Sequence, residues 1–163
     1  MVRRQGFTLI ETLIVVGILG LLAGIVMVAL GGARVKARDT KRMADLNTFG
    51  RFLQLSCPMP DAGPGDYDIA DLFAELKAKN PRIAQAVAKV PQDPKSGSDD
   101  DTGYRYVVSD DGKKCAFYAN LENEDEEITR TNLTEPTPGG GTGTLRAASV
   151  GRNGSDIYFQ VTN

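Results

Sequence analysis

An apolar stretch near the N-terminus constrains the fold of this chain more than any other feature of its sequence. It runs from Phe7 to Ala33, and Glu11 is the only charged residue in it. As a helix these residues would rise about 40 Å, enough to cross a hydrocarbon core of roughly 30 Å. A charge at the bilayer centre costs roughly 2.5–3.5 kcal/mol, so Glu11 favours a partner even near the helix end.

The residues around Glu11 form a recognisable motif. Arg3-Arg4-Gln5-Gly6 is followed directly by Phe7-Thr8-Leu9-Ile10-Glu11. This segment resembles the class III signal of type IV prepilins and pseudopilins: a basic leader, a glycine at the cut, a phenylalanine after it and a glutamate fifth in the processed chain. The resemblance implies that a membrane prepilin peptidase cuts between Gly6 and Phe7 and that the new Phe7 amine is N-methylated.

The same resemblance implies a partner for Glu11. Its carboxylate would meet the Phe7 amine of a neighbouring subunit, and the two opposite charges would offset each other's cost in hydrocarbon. The implied partners are further copies in a helical filament, the prepilin peptidase, the inner-membrane assembly machinery and, before assembly, the lipid bilayer. The leader would lie on the cytoplasmic side of the inner membrane and the domain on its outer side. The mature protein would then be part of a surface pilus or a periplasmic pseudopilus.

Other interpretations of this segment stay open. A secretory signal peptide could be cleaved at Ala29-Leu30-Gly31 or Gly31-Gly32-Ala33, although its apolar core would be about twice the roughly 7–15 residues required. A simple membrane anchor carrying a binding module that never polymerises is another alternative. Within the filament interpretation, the function is adhesion, motility or DNA uptake by a pilus, or secretion by a major-pseudopilin-like subunit of a type II system.

Composition excludes several classes of function. The chain has 19 Lys plus Arg against 21 Asp plus Glu, and removing Arg3 and Arg4 leaves 17 against 21, a net charge of −4. That balance argues against a general nucleic-acid binder, and we predict no specific nucleic-acid partner. The chain contains no histidine, the commonest general base, and no nucleophile stands in a recognisable catalytic motif. We therefore predict that it is not an enzyme and has no catalytic residues.

The two cysteines, Cys57 and Cys115, suit a single disulfide. If the domain is exported, this bond would close a loop of nearly sixty residues, worth about 4 kcal/mol in the chain-entropy model. Two free buried thiols are the alternative.

We expect an α+β, pilin-like fold in which a long N-terminal helix packs on a small antiparallel sheet. The predicted organisation is a leader at 1–6, a transmembrane or filament-core helix at 7–33, its amphipathic half at 34–57 and a globular head at 58–163. Gly20 and Gly24 form a GxxxG match that would let helices approach closely. Beyond the span, the helical spacing of Leu46, Phe49 and Leu53 predicts a core-facing stripe.

A basic segment follows the apolar stretch. We expect it to be solvated and to face the lipid headgroups, or else to form charged contacts between subunits. The positive-inside rule would place it in the cytoplasm, against the orientation that the prepilin resemblance implies. The basic segment comprises Arg34, Lys36, Arg38, Lys41 and Arg42.

In the head, apolar residues at helical spacing predict a short helix that contains Ile69, Leu72, Phe73 and Leu76. Asp66 or Asp68 is expected to cap it. A further helical turn or two is predicted around residues 83–87. Strands are predicted from Tyr104 to Ser109, Cys115 to Leu121 and Ile157 to Val161, with turns at Asp110-Asp111-Gly112 and at residues 151–155. Loops are predicted from Asp61 to Asp66, Pro91 to Gly103 and Glu122 to Glu127, and a flexible insertion from Thr137 to Gly143.

Weaker motifs carry weaker expectations. The stretch from Pro94-Lys95-Ser96-Gly97 to Tyr104-Arg105-Tyr106 looks similar to a stretch of major pseudopilins. In that subfamily a calcium ion holds a loop late in the chain in place. The candidate oxygen ligands are Asp99, Asp100, Asp101 and Asp156. We predict no cofactor and no metal, and expect these aspartates to form a solvated acidic loop; the resemblance implies calcium as the alternative. Asn132 and Asn153 begin tripeptides that match the glycosylation acceptor pattern, although Asn153-Gly154 is better explained as a turn.

Overall fold

The computed structural model describes residues 8–53, 56–80, 82–83, 87 and 89–163, except the side chains of residues 28 and 29. The predicted leader, Gly6 and Phe7 therefore lie outside the described residues. The chain divides into two compact units, Met1–Val35 and Lys36–Asn163. The second unit contains a five-stranded antiparallel sheet and two helical elements packed on it, so the predicted α+β, pilin-like fold is confirmed.

Helix α1 spans Leu9–Leu53. Its 45 residues contain no proline, so every residue can join the backbone hydrogen-bond ladder. Leu46, Phe49 and Leu53 are buried, as their spacing predicts. Gly50 lies on the same side, where an added Cβ would stand within 2.2 Å of the Val161 Cγ1 atom. Glycine therefore lets α1 approach the sheet closely.

Helix α2 spans Ile69–Lys79. The Asp68 side chain caps it by accepting a hydrogen bond from the Ala70 N–H at 2.8 Å, which settles the cap between the two predicted aspartates. Ile69, Leu72 and Phe73 are buried, and Leu76 packs against the core. Of the further turn expected around residues 83–87, only residues 82–83 are described as helical.

The strands are β1 (Gly65–Asp68), β2 (Tyr104–Val108), β3 (Cys115–Asn120), β4 (Gly143–Arg146) and β5 (Ile157–Thr162). Every pair of neighbours is antiparallel, in the order β1-β2-β3-β5-β4. Strands β2, β3 and β5 confirm the three predicted strands to within one residue at their ends. The turn between β2 and β3 contains Gly112 at φ +67°, a conformation that favours glycine.

Strands β1 and β4 were not predicted, because the sequence indicates loops there. Each has four residues, and each lies at an edge of the sheet, where it pairs with one neighbour. Their glycine and charged residues have low strand propensity, so pairing with β2 or β5 determines their conformation.

The core lies between the inner face of the sheet, α2 and the second half of α1. Phe49 contributes an aromatic ring whose centroid lies 5.0 Å from that of Phe73 and 5.7 Å from that of Phe117. The Tyr106 ring lies 5.1 Å from Phe117. Four elements separated in sequence therefore meet in one aromatic cluster, which fixes α1 against the sheet.

The predicted flexible insertion also covers part of the sheet. The Thr137 N–H donates to Gln160 Oε1 at 2.8 Å, and Gln160 Nε2 donates to the Gly141 carbonyl at 2.8 Å. Gln160 and Leu145 are fully buried although neither belongs to the main core. A buried side-chain amide of β5 thus binds the backbone of the insertion, a contact that the sequence analysis did not predict.

Candidate functional site

The described part of the candidate site begins at Thr8 and Glu11. The Thr8 N–H donates to Glu11 Oε2 at 2.9 Å, and the Thr8 hydroxyl donates to the same oxygen at 2.8 Å. In return, the Glu11 N–H donates to Thr8 Oγ1 at 3.3 Å. This reciprocal arrangement is a capping box at the start of α1.

The capping box shows a role for Glu11 that our sequence analysis missed, although the Thr-x-x-Glu spacing before an apolar run signals it. The carboxylate satisfies backbone and hydroxyl donors at the helix start. These donors are neutral dipoles, so they leave the full negative charge of Glu11 in place. The predicted pairing with the amine of Phe7 is not tested, since Phe7 lies outside the described residues.

The first part of α1 presents apolar side chains on its whole circumference. The large apolar residues described between Leu9 and Leu30 are exposed, with Leu9 81% and Leu30 46% accessible. Within the described residues, α1 is the one helix long and apolar enough to cross a membrane by length and composition. A helix that is apolar all round is expected in a membrane or in a packed assembly.

Three glycines of this segment have no packing role among the residues that the structure describes. An added Cβ at Gly17, Gly20 or Gly24 would meet no heavy atom within 4 Å. Glycine lowers helix stability by roughly 1 kcal/mol relative to alanine, so these positions need a reason outside the single chain. Close approach of another helix backbone is the reason that the predicted GxxxG match supplies.

The basic segment differs from our expectation at two of its five residues. Arg42 is completely buried, and its Nε and Nη2 atoms donate to the Asp93 carboxylate at 2.6 and 2.9 Å. Its Nη1 atom donates to Asp39 at 2.5 Å and lies 2.7 Å from Glu122 Oε1. Arg38 binds both oxygens of Glu122, each at 2.7 Å.

Together these residues form an ion-pair cluster of three cations and three carboxylates. Its members are Arg38, Arg42, Lys95, Asp39, Asp93 and Glu122, and Lys95 completes it at 3.2 Å from Glu122. The cluster joins α1 to the loop before β2 and to the segment after β3. The expectation of a solvated or lipid-facing segment is therefore wrong for Arg38 and Arg42, and that of a solvated loop is wrong for Glu122.

The cluster lowers the pKa of two of its carboxyl groups. Hydrogen bonds from Arg38 and then from Arg42 and Lys95 lower the pKa of Glu122 to about 2, against the opposing effect of burial. Burial would raise the pKa of Asp93, but donors from Arg42, from the backbone of Ser96 and Lys95 and from Asn153 outweigh it and hold the pKa below its usual range. Both groups are therefore ionised at neutral pH.

Three of the four calcium candidates are bound to separate protein donors. Asp101 binds Arg152 at 2.6 Å, Asp156 binds Arg146 at 2.7 Å, and Asp99 accepts from Gln92. Across the described residues, no three His, Cys, Asp or Glu side chains converge as metal ligands. Since Asp99, Asp101 and Asp156 each have a separate protein donor, these three residues do not fit a shared calcium ion.

Cys57 and Cys115 are joined by a disulfide in the structure. Cys115 is fully buried at the start of β3, and Cys57 lies just beyond α1. The bond therefore connects the segment after the long helix to a central strand of the sheet.

The two glycosylation acceptor asparagines differ in access. Asn132 is exposed. Asn153 is buried, and its side-chain amide donates to Asp93 Oδ2 and to the Asn120 carbonyl, both at 2.8 Å. A sugar on Asn153 would break these bonds, so this residue serves the turn before β5, as its Asn-Gly sequence indicates.

Among known protein families, residues 1–30 match the family model described as the prokaryotic N-terminal methylation motif. No curated protein and no solved structure matches the chain. The match covers the leader, Gly6, Phe7 and Glu11, the residues on which the prepilin resemblance rests. The chain thus carries the N-terminal methylation motif, the class III prepilin signal, which is consistent with a type IV pilin or pseudopilin.

Proposed function

We propose that this protein is a structural subunit of a type IV pilus-like filament. The observation that carries the proposal is the methylation motif at residues 1–30, followed directly by an exposed apolar helix in which Glu11 is the only charge. The precursor is held in the cytoplasmic membrane by α1. Prepilin peptidase cuts it between Gly6 and Phe7, and the inner-membrane assembly machinery adds the methylated subunit to the filament.

Glu11 selects its neighbour during assembly. Among the described residues, its carboxylate binds the neutral donors of Thr8. A methylated ammonium at Phe7 of an adjacent copy adds an opposite charge, and their attraction is strong where water is excluded. The subunit therefore exchanges lipid contacts for helix–helix contacts when its lone carboxylate finds that amine.

A pseudopilin of a type II secretion system is the alternative filament. The resemblance of residues 94–106 to major pseudopilins favours it, whereas the separated calcium candidates do not. A pseudopilus would leave the mature protein in the periplasm, and its loss would block secretion rather than surface fibres. A non-polymerising membrane module is the further alternative.

The mass of the mature N-terminus tests the proposal. We expect a mature chain that begins at Phe7 and carries one methyl group on its amine, measured by mass spectrometry of protein purified from the native envelope. A chain that retains residues 1–6 would support a membrane anchor. A start near Arg34 would support conventional secretion, and either result would overturn the filament proposal.

A further inference from the structure

A small cavity lies on the face of the sheet opposite the main core. Its walls come from Arg105 of β2, Tyr118 and Asn120 of β3, Tyr158 of β5 and Arg152 of the preceding turn. Its volume is about 170 Å³. Sites for drug-sized ligands span roughly 300–1,000 Å³, so this cavity has room for one ring of a ligand.

Two tyrosines with tilted rings line this cavity. The centroids of Tyr118 and Tyr158 lie 6.2 Å apart, and their planes meet at 55°. The Tyr118 hydroxyl donates to the Asp66 carboxylate, which fixes its ring. Within the described part of the chain, the Tyr158 hydroxyl has no hydrogen-bond partner, so it is available to a ligand.

Both guanidinium groups are held in place by the protein. Arg105 donates to the Asp66 carboxylate and to the Asp66 carbonyl, each at 3.1 Å. Arg152 donates to Asp101 at 2.6 Å and to the Ser96 carbonyl at 3.2 Å. An arginine has five N–H donors, so each side chain keeps donors for a ligand while its position is fixed.

A glycine brings the turn before β5 against one wall of the cavity. A Cβ added at Gly151 would stand 2.4 Å from both the Tyr158 hydroxyl oxygen and the Asn120 Cγ atom. No other residue would fit there without moving these side chains. The local backbone thus determines how the tyrosine and the asparagine are presented.

The charges of the cavity select the class of ligand. Each guanidinium is paired with a carboxylate, so the site has no excess positive charge with which to hold a polyanion such as a nucleic acid. It offers aromatic faces together with fixed donors and acceptors. A sugar ring presents the matching chemistry, since it combines an apolar C–H face with hydroxyl groups at its rim.

We propose that this cavity binds one pyranose ring of a neutral glycan. The sugar's C–H face packs on the Tyr118 and Tyr158 rings, and its hydroxyls bond to Arg105, Arg152 and the Tyr158 hydroxyl. The proposal does not depend on filament assembly, because every residue of the cavity lies in the unit Lys36–Asn163.

Saturation-transfer NMR on the full-length protein tests this site. The probes are D-glucose, N-acetyl-D-glucosamine, maltotriose and chitotriose, and a phosphocholine detergent is used because glycoside detergents would compete. At about 50 mM sugar, a site with a millimolar Kd is nearly filled, so we expect saturation of sugar ring protons for at least one probe. In a titration of the same sugar from about 0.1 to 50 mM, Tyr158→Ala should raise the Kd about tenfold through loss of the ring.

A matched control separates the cavity from the rest of this face. Val107 lies on β2 outside the cavity, so Val107→Ala should bind the sugar as the unmodified protein does. The near-ultraviolet circular dichroism of each variant verifies that the head is folded. No saturation of any of the four sugars would overturn the proposal, as would binding that Tyr158→Ala leaves unchanged. Binding of hexathymidylate instead of the sugars would show a nucleic-acid surface and would also overturn it.

Discussion

At the scale of single residues, Arg42 shows how a buried charge is accommodated. Its side chain is 0% exposed, and three carboxylates surround it. Removing a charge from water costs several kcal/mol, so such a group is stable only when hydrogen-bonded charges compensate it. Asp39 in turn accepts the backbone N–H groups of Glu122 and Asn123, so the cluster also holds the chain after β3.

Replacing Arg42 by methionine should lower the free energy of unfolding by about 3–5 kcal/mol, because three buried carboxylates then lose their shared cation. The measurement is urea unfolding of the full-length protein in detergent, followed by near-ultraviolet circular dichroism. All five tyrosines lie in the head and there is no tryptophan, so this signal reports the head alone.

Lys41→Met is the control for Arg42→Met. Lys41 is 51% exposed and pairs with Asp45 on the surface of the same helix. Its loss should cost less than about 1 kcal/mol. Equal effects of the two substitutions would show that burial of the Arg42 charge does not determine the stability of the cluster.

Glu122 should make the stability of the head depend on pH in the acid range. Its pKa falls from an ordinary value of 4.5 to about 2 on folding. The depressed pKa therefore stabilises the fold above pH 4.5, and this contribution is lost as the pH falls from 4.5 through about 2. We expect urea midpoints of the unmodified protein to fall across this window.

Glu122→Gln isolates this contribution from the other carboxylates. The variant should be less stable than the unmodified protein at pH 7, and the difference should shrink as the pH is lowered toward 2. Parallel curves for the two proteins over this window would contradict a depressed pKa at Glu122.

At the scale of elements, the disulfide links the end of α1 to β3. It closes a sequence separation of 58 residues, for which the chain-entropy model gives about 4 kcal/mol as an upper value. The double variant Cys57→Ser with Cys115→Ala should lose up to that amount in urea unfolding, since an alanine fits the buried site of Cys115. Unchanged stability would mean that packing alone fixes this end of the helix.

The sequence predicts the elements that carry a strong periodic pattern. Helices α1 and α2 and strands β2, β3 and β5 follow from apolar spacing and turn residues. Strands β1 and β4 could not be predicted, because their four residues adopt strand structure only through pairing with a neighbour.

The candidate site follows the same division between local and long-range information. Gly6, Phe7 and Glu11 are read directly from adjacent residues. The Thr8–Glu11 capping box was missed, but its local Thr-x-x-Glu spacing could have predicted it. The partners of Arg42 stand far away in sequence and could not be predicted. The burial of Arg42 could have been predicted, because it falls in a helical pattern whose intervals alternate between three and four residues. The members of this pattern are Asp39, Arg42, Leu46, Phe49 and Leu53.

At the scale of the whole molecule, one substitution separates the two roles of Glu11. Glu11→Gln removes the charge, but a glutamine at this position still completes a capping box. We expect this variant to insert into the membrane and to fold, and to form at least about tenfold fewer filaments because the pairing with the Phe7 amine is lost. Filaments sheared from cells and quantified by immunoblot provide the measurement.

Thr8→Val is the matched control for assembly. It removes the hydroxyl of the capping box and keeps the Glu11 charge. Filament yield should stay within about threefold of the unmodified protein, because an N-terminal cap contributes only about 1 kcal/mol to its helix. A stronger defect in Thr8→Val than in Glu11→Gln would indicate that helix capping, rather than charge, is what assembly requires.

The attachment of α1 to the head has a mechanical consequence. The ion-pair cluster at Arg42 lies at one end of the buried half of the helix, and the Cys57–Cys115 bond lies just beyond the other. A tensile load along the helix axis therefore acts on both the cluster and the packing between Gly50 and Val161. The covalent bond then limits extension, so the head resists being pulled off its helix.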